Sequence, residues 1–176
     1  MKIIYLPGMS LANKRWIEGV KAKLEGLSEG KILDYDHWHE EKRFDIEAES
    51  RKLSSLVKDE VDYGVLAKSV GVILALKNIS ENKLRPKAVI FLGFPYRLAR
   101  SWGVSIDKRL RALSMPMLLV QNEFDPAGSH REVEKMLREN PPANYQLVKI
   151  AHNSTHDYSD LGQWFNLAKS FWGDNK

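Results

Sequence analysis

The sequence predicts an α/β fold, a doubly wound and mostly parallel sheet of about six strands with helices on both faces. Three observations carry this. Short, continuously apolar runs recur along the chain, among them Ile3–Leu6, Ala88–Leu92 and Met117–Val120. Strands with one wet face would alternate instead. Longer amphipathic stretches of helical period lie between these runs. The two kinds take turns, as they must where each parallel strand is reached by a right-handed helical crossover. The length of 176 residues suits one domain spanning 1–176.

Taken in order, Ile3–Leu6 reads as a buried strand ended by Pro7-Gly8. Asn13–Leu27 reads as a helix, with Trp16, Ile17, Val20 and Leu24 on one face. Ile32–Tyr35 is a second short strand, and Asp45–Val57 a helix with Ile46, Leu53, Leu56 and Val57 roughly in phase. Tyr63–Ala67 is a third strand, followed almost at once by a helix over Val70–Ile79. Ala88–Leu92 is the fourth strand. Residues 95–115 form a long connection with a short helical pattern near Ile106–Leu113, and long connections often carry function. Met117–Val120 is a strand beginning after Pro116, Ser129–Glu139 a helix, Tyr145–Ile150 the sixth strand and Ser159–Trp172 the last helix.

Composition removes several classes of function. The 27 Lys and Arg residues are balanced by 23 Asp and Glu, and the signs are interleaved, as in Glu40-Glu41-Lys42-Arg43. A nucleic-acid partner would want a concentrated basic stripe, so none is expected. There is no cysteine, which excludes disulfides and thiolate metal sites. No apolar run approaches the roughly 18 residues that span a bilayer, and Met1–Leu6 is too short for a leader's apolar region. The expectation is a soluble cytoplasmic protein without a membrane partner. Asp36-His37-Trp38-His39-Glu40 lacks a third metal ligand at recognisable spacing, so no metal is expected. Gly8, Gly71 and Gly93 form no phosphate-cradling pattern, so no nucleotide cofactor is expected either.

The segment richest in chemistry is Ala67-Lys68-Ser69-Val70-Gly71. It passes from strand to helix with no loop between. A serine on so sharp a turn projects its hydroxyl above the sheet, and the positions two before and two after it must be small. Such a nucleophile needs a base, and the base an orienting carboxylate, in the chain order Ser, acid, His. Asp125 follows the fifth strand directly and precedes Pro126; Glu123 is its rival. The loop after the sixth strand holds His152 and His156. His156 is the expected base, because the base must reach past the sheet edge and His152 lies only two residues beyond Ile150. All three elements sit at the carboxyl edge of the sheet, where open α/β sheets place ligands. An oxyanion needs two backbone N–H groups; Val70, next after the serine, and Met9, in the loop after the first strand, are the candidates. Ser10, Trp38, Phe94, Tyr96 and Trp102 are possible substrate-pocket residues.

These segments, with Leu6-Pro7-Gly8, Gly93-Phe94-Pro95, the run Pro116–Gly128 and His156-Asp157-Tyr158, resemble the α/β-hydrolase superfamily. Within it the chain is similar to the small dienelactone-hydrolase-like and KANL/testis-expressed-type domains. The more specific matches are Lys68 before the serine and Val120-Gln121 followed by Asp125-Pro126. The chain departs from the family in opening the pentapeptide with alanine and in starting at what would be the family's third strand. The resemblance implies a cofactor-free, esterase-like acyl hydrolase of small-molecule substrates, with Ser69, Asp125 and His156 as its triad. The competing class is a binding or scaffold protein that keeps the fold without the activity. Only residues 95–115 are available as a lid, which suggests an open cleft and modest acyl groups.

Overall fold

The computed structural model describes residues 1–24 and 29–175. Among these, β1 (Lys2–Leu6), β2 (Gly30–Ile32), β3 (Tyr63–Lys68), β4 (Val89–Leu92), β5 (Met117–Asn122) and β6 (Tyr145–Ile150) form one six-stranded sheet. Its order is β2-β1-β3-β4-β5-β6. Every pairing is parallel, so the sheet expected to be mostly parallel is wholly so. The chain winds outward from β1 to β2, then returns to the far side of β1 with β3. Loops leaving β1 and β3 therefore meet at the point where the winding reverses, which is where such sheets leave a crevice.

Successive side chains of a strand point to opposite faces, and β1 shows it. Ile3 and Tyr5 face one core with Leu66, Ile90 and Leu118, closed by α1 (Ala12–Leu24) and α7 (Phe165–Asp174). Ile4 and Leu6 face the other with Val65, Phe91 and Leu119. That second face is covered by α2 (Ile46–Val57), α3 (Val70–Ser80), α4 (Tyr96–Ser101), α5 (Ile106–Arg111) and α6 (His130–Glu139). Helix α3 is buried along nearly its whole length, from Val70 to Ile79. A helix apolar all round must lie inside, and α2 and α5 flank this one. Its one buried amide, Asn78, accepts from Ser50 Oγ at 2.8 Å and donates to the Leu74 carbonyl at 2.8 Å.

Four elements differ from their expected bounds by more than one residue. The second strand is Gly30–Ile32, not Ile32–Tyr35. A Cβ on Gly30 would stand 2.4 Å from the Tyr5 ring, so only glycine lets this edge strand close on β1. The last ladder bond runs from Leu33 N to Tyr5 O, after which the chain turns through a 3-10 segment, Asp36–Trp38. The connection over 95–115 holds two short helices, α4 and α5; α4 has too few residues to show a period. Strand β5 continues beyond Val120 to the buried polar residues Gln121 and Asn122. The last helix starts at Phe165 rather than Ser159, because local side-chain bonds hold the preceding backbone in turns. Ser159 Oγ donates to Asp157 at 2.6 Å and Gly162 N to Asp160 at 3.1 Å. The expected continuation of α1 through Leu27 lies outside the described residues. Among those described, no helix is long and apolar enough to cross a membrane.

Candidate active site

Ser69 stands alone between β3 and α3. Its φ of 53° is a left-handed conformation that L residues rarely adopt, and it is held there from both sides. Its N–H extends the β3–β4 ladder to the Leu92 carbonyl at 3.1 Å, and its carbonyl accepts from Val72 N at 2.8 Å. The turn is tight because α3 sets off directly over the end of β1. A Cβ on Gly71 would lie 2.2 Å from the Leu6 carbonyl oxygen and 2.8 Å from that of Pro7. Both contacts are backbone and cannot rotate away. Gly71→Ala is therefore expected to cost about 3 kcal/mol of folding stability. Urea unfolding measures it, and an unchanged midpoint would mean that β1 and α3 separate at no cost.

The side chain of Ser69 meets a histidine and an aspartate. His156 Nε2 is 2.8 Å from Ser69 Oγ, and Nδ1 is 2.9 and 2.8 Å from the two oxygens of Asp125. A carboxylate only accepts, so the hydrogen between them sits on Nδ1 and leaves Nε2 free to accept from the serine. Asp125 is 1% exposed, and two further donors satisfy it. Ala127 N reaches Oδ1 at 2.8 Å and the Tyr158 hydroxyl reaches Oδ2 at 2.8 Å. Burial and then the charge of Asp125 push the Tyr158 phenol far above its ordinary pKa, so it stays a donor. The rival residues lie apart from this chain. Glu123 pairs with Lys149 Nζ at 3.2 Å and accepts from His152 N at 2.9 Å. His152 is exposed.

Two supports were not assigned a role from the sequence. Tyr158 enters the sequence reading only within His156-Asp157-Tyr158, and Asn122 only within the run Pro116–Gly128. The Asn122 amide donates to the carbonyls of Thr155 at 2.8 Å and Asp157 at 3.0 Å, while its N–H reaches Tyr158 Oη at 3.0 Å. This clips the histidine loop to the end of β5. Trp16 and Trp164 add indole bonds to the Tyr158 carbonyl at 3.1 and 3.0 Å. Gly93, at φ 61°, leaves room for the loop, since a Cβ there would lie 3.0 Å from His156 Cε1. A phenol two residues after the histidine, and a carboxamide at the end of an apolar strand, were the available signals.

The segment Pro7–Ser10 leaves the end of β1, where the Leu6 and Pro7 carbonyls close on Gly71. Val70, the first residue of α3, has an N–H that no carbonyl of its own helix can accept. Met9 is 41% exposed, and its backbone carbonyl accepts from His37 Nε2 at 2.7 Å and Trp38 Nε1 at 2.8 Å. Lys68 is buried, with its ammonium on Asn13 Oδ1 at 2.6 Å and over the Trp16 ring at 5.0 Å. Burial lowers its pKa against the opposing charges of Asp157 and Asp125.

Of the other pocket candidates, Trp102 is 40% exposed and stacks on Phe44 with ring centroids 6.1 Å apart. Tyr96 is half-buried under the Arg100 guanidinium. Ser10 is exposed and accepts from Asn13 Nδ2 at 2.7 Å. Phe94, expected among the lining aromatics, is instead fully buried in the core. Its N–H is drawn to Gln121 Oε1 at 2.7 Å, which pulls the segment onto β5.

No protein-family model matches the sequence, and no curated protein matches it. Solved structures do match in shape. Est1E from Butyrivibrio proteoclasticus, with ferulic acid bound, superposes with a TM-score of 0.78 at 15% identity, covering 98% of this chain and 88% of its own. Est816, described as an N-acyl homoserine lactone degrading enzyme, gives 0.76 at 11% identity over 97% and 93%. Mouse alpha/beta hydrolase domain-containing protein 10 gives 0.72 at 11% identity over 99% and 90%. At these identities the likeness is one of fold.

Proposed function

We propose that this chain, which has the α/β-hydrolase fold, is a serine hydrolase that cleaves an ester-type carbonyl of a small acyl substrate. The observation that carries the reading is the unbroken hydrogen-bond chain from Ser69 through His156 to the buried Asp125. Ser69 Oγ attacks the carbonyl carbon as its proton passes to His156 Nε2. The carbonyl oxygen takes up the negative charge facing the Val70 and Met9 amides. The intermediate collapses, the bond to the leaving oxygen breaks, and that oxygen takes the proton from His156. Water then repeats the sequence on the acyl-enzyme and releases the acid and free Ser69. Asp125 keeps His156 in the right tautomer and stabilises its cation.

Two of the similar structures carry small molecules in their descriptions, ferulic acid and N-acyl homoserine lactones. We assign this chain a small ester, thioester or amide substrate by the same token, with Ser10, Tyr96 and Trp102 at the rim of the cleft. The test is a panel of short and long acyl esters, read with Asp125→Asn and Glu123→Gln variants. An asparagine cannot accept from His156 Nδ1, Tyr158 and Ala127 at once. With its NH₂ toward Nδ1, it moves the imidazole hydrogen to Nε2, which then cannot take the serine proton. A loss of about 10⁴-fold in kcat is expected for Asp125→Asn, with Glu123→Gln near wild type. Glu123→Gln as the inactivating variant would exchange the two roles. A folded wild-type protein inert to the whole panel would make the binding-protein reading the better one.

A further inference from the structure

The segment that follows β2 reaches across the sheet edge to the loop after β1. Tyr35 Oη donates to the Pro7 carbonyl at 2.8 Å. His37 Nε2 and Trp38 Nε1 both meet the Met9 carbonyl, at 2.7 and 2.8 Å. A carbonyl only accepts, so His37 carries its hydrogen on Nε2, and two donors use both lone pairs of that oxygen. The donors are themselves braced by one another. The fully buried Tyr35 ring lies 5.6 Å from His37, 4.9 Å from Trp38 and 5.2 Å from Phe44.

These bonds have a geometric consequence. The Pro7 carbonyl belongs to the peptide plane shared with Gly8, and the Met9 carbonyl to the plane shared with Ser10. Between the two pinned planes lies a single peptide unit, Gly8–Met9, and it carries the Met9 N–H. Its tilt depends on ψ of Gly8 and φ of Met9. Glycine alone would leave that tilt loose. Here the space beside Gly8 is filled, with Asn13 Nδ2 only 2.7 Å from where a Cβ would stand. Asn13 is held in turn by Lys68 Nζ at 2.6 Å and by Ser10 Oγ at 2.7 Å.

We infer that Tyr35, His37 and Trp38 are positioning residues, which fix the Gly8–Met9 peptide by holding the carbonyls on either side and so aim the Met9 N–H at the developing oxyanion. The inference rests on the serine-hydrolase reading and deepens it. It also accounts for the polar end of Trp38, which is engaged by the main chain rather than directed at a substrate. An oxyanion donor is felt only in the transition state, so losing its aim lowers kcat and leaves KM alone.

The experiment compares wild type, Trp38→Phe, His37→Leu and the double variant on a short acyl ester, with thermal unfolding as the check on folding. The second readout is affinity for an alkyl boronic acid, which becomes tetrahedral on Ser69 and places an oxygen where the oxyanion forms. Removing both donors is expected to lower kcat about 10²-fold, with KM within twofold and boronate affinity falling by the same factor as kcat/KM. Each single variant, which leaves one donor, should lose only a few-fold. Pairing His37→Gln with Trp38→Phe restores a donor and should recover most of the rate. Should the double variant not fold, Trp38→Phe, which keeps a ring, and His37→Gln carry the comparison. A folded double variant with wild-type kcat and boronate affinity overturns the inference. So does a rise in KM at constant kcat, which would make these residues substrate contacts. A wild-type protein that neither hydrolyses the ester nor binds the boronate overturns the hydrolase reading itself.

Discussion

Ser69→Ala is expected to stay folded and to lose about 10⁶-fold in kcat, the order of loss found when the nucleophile is removed from such a relay. Alanine keeps the Cβ, so the left-handed turn at φ 53° is no more strained than before. What disappears is the oxygen 2.8 Å from His156 Nε2, the atom to which the acyl group would be joined. The histidine, its carboxylate and the amides of Val70 and Met9 all remain, and under the proposed mechanism they would supply only the residual catalysis of an intact binding site. An organophosphonate probe gives an independent measurement. Wild type should gain one adduct by intact mass, mapped to Ser69, and the variant none. A folded Ser69→Ala protein that kept its esterase activity would remove Ser69 from the chemistry.

The two histidines of the last loop should separate as sharply. Under the proposed mechanism His156→Ala removes the group that would accept the serine proton, and a loss of about 10⁶-fold in kcat is expected. The fold should tolerate it, because Asp125 keeps two donors, the Ala127 N–H and the Tyr158 hydroxyl. His152→Ala should leave kcat near wild type. Its N–H to Glu123 survives the substitution, and its ring is exposed. Stability should change little as well, since His152 already carries a Cβ at φ 56° and alanine adds no strain there. Steady-state kinetics on one ester, with thermal unfolding alongside, checks both. Inactivation at His152 with activity kept at His156 would reverse the assignment.

The amino-acid sequence alone determined the alternation of buried strands and amphipathic helices. It also placed a serine between two small residues at a strand-to-helix junction and put an aspartate and histidines after later strands. These are local signals: period, turn chemistry and small residues speak within a window of about ten positions. That Asp125 and His156, rather than Glu123 and His152, meet the serine they gave only as an expectation from position along the chain. His156 lies 87 positions from Ser69 and 31 from Asp125, and only the parallel order of β3, β4, β5 and β6 brings their loops to one edge. The tertiary structure likewise drew Glu123 to Lys149, buried Phe94 and recruited Tyr158 to the carboxylate. It turned Tyr35, His37 and Trp38 onto the Met9 loop, where the sequence offered a short strand running to Tyr35. Edge strand β2 ends at Ile32 because Gly30 permits close approach to Tyr5 and the ladder stops after Leu33. A donor's partner across the sheet edge leaves no trace in the spacing of residues along the chain. It is set by which carbonyls the packed strands leave unpaired, since a buried polar group takes whatever partner the fold brings within reach.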